Sequence, residues 1–238
     1  MRSVFLAADS DVRLQEFFSG NGYQIKLIRT SGIVQEPVSC HPDMFMCCLG
    51  SDGDAHIIFC PDIGDVIRQD SGSSFSLFRP GSSSLRRDYP YDIAYNAACT
   101  GRYFIHNLRY TDPVLLSFAR SSGMKLVDVR QGYAKCSTVI VDEGSIITYD
   151  RGLAESCRKA GMDVLTVSPG HVLLPGYDTG FIGGASGRIG DTVYFNGDLT
   201  AHPDSETIIS FIEKRGLKVR WFAGRPLTDI GSILYTDY

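Results

Sequence analysis

The chain lacks a membrane span: no apolar run among its 238 residues approaches the roughly 18–20 that a bilayer-crossing helix needs. It lacks a basic excess, with 23 Lys and Arg against 27 Asp and Glu and a formal charge of -4. That balance gives no field for a nucleic-acid polyanion and no cationic face for a membrane, so neither is expected as a partner. A secretory leader is not expected either, because the apolar stretch in "MRSVFLAADSDV" is too short for its apolar region and acidic residues follow at once. The seven cysteines are an odd number, and no pair has zinc-ribbon spacing. Cys47, Cys48, Cys60 and Cys99 instead sit in apolar, strand-like runs. Reduced core thiols in a bacterial-type cytoplasmic protein are predicted, without a disulfide framework, a metal or a cofactor.

What is present is ordinary in amount, with 43% apolar and 21% charged residues, and unusual in order. Gly22, Gly72, Gly123, Gly161 and Gly216 each stand where an amphipathic helix closes and a strand opens. Upstream of each helix an apolar strand ends in an acid or amide: Asp9, Asp62, Asn107, Asp150 and Asn196. These side chains are candidates to accept from the free N–H groups of the first helical turn. Before four of those strands lie a tight turn ("GSDGD", "TGR", "DEG", "GD") and another strand ("DMFMCCL", "IAYNAAC", "KCSTVIV", "GASGRI").

The first unit lacks a leading strand, and "DIGSILY" is left over at the other end. Pairing that orphan with "SVFLAA" completes five ββαβ units, about 40–55 residues apart, in one domain over residues 1–238. The predicted fold is an α/β ring, a five-bladed propeller closed by its N- and C-terminal strands. A doubly wound sheet also alternates strands and helices, but it gives no reason for a hairpin before each helix.

The stretches "HPDMFMC", "GYAKCSTVIVDEGSIITYD" and "GFIGGASGRIGDTVYFNGDL" carry a resemblance. Through them the chain resembles the pentein superfamily, which has the guanidino-group-modifying-enzyme fold, and within it an uncharacterised bacterial family. The resemblance implies a cysteine nucleophile, a His-x-Asp/Glu motif and two carboxylates that grip a guanidinium. It also implies a nucleophile in the closing strand near the C-terminus. Here that segment, "LTDIGSILYTDY", holds Gly231 and Ser232 and no cysteine.

By symmetry the junctions between units should meet at one end of the ring, around a central polar cavity. His41 and Asp43 are the candidate acid/base and its orienter, or a local hydrogen bond that fixes a strand entrance. Cys136, between Lys135 and Ser137, is the candidate nucleophile or a half-buried structural thiol. Asp178 and Asp229, with Asp92, are candidate substrate clamps or turn formers. Asn96 points at the axis or pairs across it. The glycines of "GFIGGASG" precede a hairpin and not a helix, so close backbone approach explains them better than a phosphate loop. Two functions are open: binding or hydrolysis of a small guanidino or amidino cation, and a non-catalytic ring that docks to a macromolecular, protein partner.

Overall fold

A computed structural model describes residues 2–29, 32–49, 56–64, 67 and 77–237. Strand β1 (Arg2–Ala7) lies between parallel β2 (Gln24–Ile28) and the antiparallel last strand, β15 (Leu234–Asp237). The register sets Val4 opposite Tyr235 and Phe5 opposite Leu234, so the two ends of the chain share a sheet as the orphan strand predicts.

The other sheets repeat the pattern of a middle strand with an antiparallel partner before it and a parallel partner after it. They are β3 (Met46–Leu49), β4 (His56–Phe59) and β5 (Phe78–Pro80); then β6 (Ala98–Cys99), β7 (Tyr103–His106) and β8 (Lys125–Asp128). β9 (Val139–Ile140), β10 (Ser145–Thr148) and β11 (Asp163–Thr166) follow, and then β12 (Ser186–Ile189), β13 (Thr192–Phe195) and β14 (Lys218–Trp221). Among the described residues the result is five three-stranded sheets.

Among the described residues, four helices of nine residues cross between the last two strands of their units: α1 (Val12–Gly20), α3 (Pro113–Ser121), α4 (Arg151–Lys159) and α5 (Ser205–Glu213). A single turn, α2 (Pro42–Phe45), precedes β3. Gly22, Gly123, Gly161 and Gly216 all have φ between 70° and 95°, the left-handed helix end that their sequence positions predict. Gly72, the helix expected before it and the turn "GSDGD" lie wholly or mainly outside the described residues. Among the described residues no helix is long and apolar enough to cross a membrane.

Each nine-residue helix wedges its apolar stripe between its own sheet and the sheet before it. Leu153, Ala154 and Cys157 of α4 pack with Ala98, Tyr103 and Ile105, and Ile208 and Ile212 of α5 pack with Val139, Val141 and Ile147. Leu14 and Phe18 of α1 do the same with Val4, Leu6, Ile189 and Ile233. The Phe18 ring lies 5.2 Å from that of Tyr194. The earliest helix is thereby packed on the latest full sheet.

Two expectations change. Among the described residues, of the proposed caps only Asp150 accepts from its helix, through Leu153 N–H; Asp11 and Asp112 cap α1 and α3 in place of Asp9 and Asn107. Asp62 accepts from Leu85 N–H, and Asn196 donates to the Thr228 carbonyl. A cap must stand beside the first helical turn, and the chain runs four residues past β1 before α1 begins and six past β7 before α3 begins.

The leading strands are also shorter than predicted, because the first half of each is a turn. Several backbone groups there bond to a neighbouring unit. Lys135 N–H donates to Asn96 O, Gly184 N–H to Cys136 O, Ser232 N–H to Gly184 O and Asp43 N–H to Gly231 O. Cutting Phe18 back to Ala should therefore cost about 3–5 kcal/mol in urea unfolding, whereas Val12→Ala on the outer face should stay within about 0.5 kcal/mol. Equal costs would contradict the wedge.

Candidate functional site

The short turns ahead of β3, β6, β9 and β15 bring His41, Asp43, Asn96, Cys136 and Asp229 into one buried cluster. Cys136 Sγ lies 3.2 and 3.1 Å from the two carboxylate oxygens of Asp43. Asn96 donates its amide N–H to the same sulfur at 3.1 Å, while its carbonyl oxygen accepts from the N–H groups of Lys135 and Cys136. His41 Nδ1 is 3.7 Å from Asp229 Oδ1, beyond hydrogen-bond reach. Asp229 is held by two backbone donors, Phe181 N–H at 2.9 Å and Gly231 N–H at 3.0 Å.

Two members escaped the sequence reading. Lys135 donates through Nζ to Ser232 Oγ at 2.8 Å, and Ser232 Oγ is 2.6 Å from Asp43 Oδ2. The serine thus relays the buried ammonium to the buried carboxylate. Its backbone is at φ 74°, a left-handed conformation that costs a side-chain-bearing residue of order 1 kcal/mol and is kept only where the surroundings hold it. Gly231 before it is also left-handed, and a Cβ there would meet the Cβ of His41. A cysteine in the sequence is a visible signal; a serine and a lysine are too common to stand out.

Asp92 is buried but bonded elsewhere, accepting from the Tyr133 hydroxyl at 2.7 Å, with its other oxygen unpartnered. Asp178 is exposed, carried outward on the loop that follows β11, so the structure does not bring it to the cluster. Beside the cluster runs an aromatic row. Ring centroids are 5.8 Å apart for Tyr89 and Tyr133, 6.1 Å for Tyr133 and Phe181, and 5.7 Å for Phe181 and Tyr149. Phe181 joins the row to Asp229 through its N–H. The glycines of "GFIGGASG" do serve close approach: a Cβ on Gly183 would strike the backbone of Cys136 and Thr138, and one on Gly184 would strike Asp229. The second His-Pro-Asp, at residues 202–204, is local, with Asp204 N–H donating to His202 Nδ1.

Burial governs the electrostatics. It raises the thiol of Cys136 well above its ordinary value, and the Asp43 charge adds to the rise. The thiol is therefore protonated at neutral pH and donates to Asp43. Burial likewise lowers His41 and Lys135 and raises Asp43.

Asp229 rises from 3.8 to about 6 through burial, opposed by its two backbone donors. The folded state thus binds more protons than the unfolded state between those values. Ionising Asp229 costs stability as pH rises through that window, by about 3 kcal/mol at 1.36 kcal/mol per unit. Asp229→Asn carries a fixed loss from its mismatched amide but none of this cost. Its stability relative to the parent chain should improve by about 3 kcal/mol between about pH 4 and pH 8 in urea titrations. A difference that stays flat over that range would contradict the assignment.

Solved structures share this architecture at low sequence identity. Agmatine deiminase from C. jejuni aligns over 92% of this chain and 86% of its own at 11% identity, with a TM-score of 0.51. A serine-for-cysteine variant of the C. jejuni enzyme with substrate bound aligns over 78% and 69% at 10% identity, with a TM-score of 0.50. SxtG, an amidinotransferase from Microseira wollei, aligns over 93% and 88% at 9% identity, with a TM-score of 0.49. No curated protein sequence matches the chain. The fold is that of the pentein superfamily, as the sequence resemblance implies. Residues 7–234 match the family of unknown function DUF6873, and the chain belongs to that family.

Proposed function

We propose that the five sheets close into a ring and that its polar centre binds a small guanidino or amidino cation, with Cys136 as the reacting thiol. The observation that carries this reading is the convergence of a thiol, an imidazole and a carboxylate. His41, Cys136 and Asp229 each place one functional atom within 4.8 Å of the others, although the sequence sets them far apart. Closure is supported by the contacts that run from Asn96 to Lys135, from Cys136 to Gly184, from Gly184 to Ser232 and from Gly231 to Asp43. Asn96 Nδ2, 3.6 Å from Met44 Sδ, completes the circuit. The structural neighbours at this fold include an agmatine deiminase, an enzyme whose name denotes a guanidino substrate.

A planar cation is held well by paired carboxylates and aromatic faces; Asp229 accepts from Phe181 of the Tyr133–Phe181–Tyr149 row, and Asp43 accepts from Cys136 in the same cluster. The unpartnered oxygen of Asp92 adds a further acceptor along that row. Attack of Sγ on the amidinium carbon forms the C–S bond, and the thiol proton passes to His41. His41 returns that proton to the departing amine, and water then frees the second product and restores the thiol.

Burial favours the rival reading, a non-catalytic ring that docks to a protein partner. His41, Cys136 and Asp229 each keep only 3% of their surface, so a ligand must open the centre to enter. The exposed rings of Tyr89, Tyr91 and Tyr177 are the surface such a partner would use. The free cysteines of the chain fit a reducing, cytoplasmic setting under either reading.

Millimolar guanidino and amidino compounds should raise the melting temperature. Release of a urea or citrulline product, read colorimetrically, should vanish in Cys136→Ser. Absence of any thermal shift across such a panel, together with stoichiometric capture of a protein partner, would establish the rival.

A further inference from the structure

The His41 ring nitrogen Nδ1 is sealed from solvent and has no hydrogen-bond partner. Buried polar atoms are almost always paired, so an orphan of this kind points to a group that the site is built to receive. Its nearest acid, Asp229 Oδ1, stands 3.7 Å away, and Cys136 Sγ completes a trio within 4.8 Å.

We propose that His41, Cys136 and Asp229 form a binding site for a divalent metal ion of the zinc class. The donor set is one imidazole nitrogen, one sulfur and one carboxylate oxygen, the mixture that zinc accepts and that magnesium and calcium do not. Ligands of one tetrahedral zinc lie roughly 3.5 Å apart, given bonds of about 2.0–2.3 Å. The His41–Asp229 gap of 3.7 Å already has that size. Three protein ligands leave one position of the ion open.

The surroundings hold these groups in place. Asn96 donates to Cys136 Sγ, and Phe181 and Gly231 donate to the Asp229 oxygens, each of which keeps a further lone pair. Charge also closes. On binding, the Cys136 thiol gives its proton to solvent, so Asp43, Asp229 and the thiolate carry three negative charges. Lys135 and the ion carry three positive ones. The inference stands apart from the guanidino reading, because it needs only the three ligands. Where both hold, the ion occupies the groups that the cation chemistry uses and acts as an inhibitor.

Full-length protein stripped with a chelator and titrated with Co(II) should bind one equivalent and show a thiolate-to-cobalt charge-transfer band in the near ultraviolet. Zinc should displace it, with about one proton released per ion bound and affinity rising with pH. The band should be lost in Cys136→Ser and weakened in His41→Gln and Asp229→Asn. Independently of those variants, zinc and not magnesium should raise the melting temperature of the unaltered chain. A band unchanged in Cys136→Ser, or no zinc binding by calorimetry at micromolar concentration, overturns the site. Amidine hydrolysis is read separately, so failure of either idea leaves the other testable.

Discussion

The Asp43 carboxylate has no surface exposed to water, and a buried anion costs several kcal/mol unless its oxygens are satisfied. Its donors are Cys136 and Ser232, which lie 93 and 189 residues away along the chain. Neither can reach Asp43 until the units that carry them have assembled around it. Lys135, held through Ser232, supplies the opposite charge from a third direction. The fold and the cluster are therefore one problem: the sheets must meet for the acid to be paired, and the paired acid fixes how they meet.

That constraint explains why the leading strands stop early. The backbone ahead of β6, β9 and β15 shares donors and acceptors with adjacent units, through Asn96 O, Lys135 N–H, Cys136 O, Gly231 O and Ser232 N–H, and a regular hairpin would have used them internally. Close approach is then obligatory. Gly183 and Gly231 stand where any side chain would meet the backbone of Cys136 or the body of His41, so small residues mark the crowded centre better than polar ones do. Ser232 is the exception, a left-handed residue with a side chain, and the three partners of its hydroxyl account for its retention there.

Much of the architecture was legible in the sequence because it is written locally. Glycines that end helices, apolar strands and the orphan "DIGSILY" each leave a pattern within a few residues, and β1 does pair with β15. The cluster was legible only as a set of junctions. His41, Asp43, Asn96, Cys136 and Asp229 do come together, since their junctions converge on one buried cluster. Asp178 does not, because the loop after β11 is long enough to carry it to the surface. The role of Ser232 could not be read at all, since it arises from a contact with Lys135 across 97 residues. The orphan nitrogen of His41 is likewise a property of packing and not of spacing.

One set of groups can serve a cation, a metal or pure architecture, and these uses differ in what they ask of the thiol. All three rest on the same buried pairing of Asp43. A double-mutant cycle between Asp43→Asn and Ser232→Ala, read by urea unfolding, measures that pairing directly. The account predicts a coupling of at least about 1 kcal/mol, since either change leaves the other partner buried without its charge-assisted bond. Effects that add to within about 0.5 kcal/mol would contradict it.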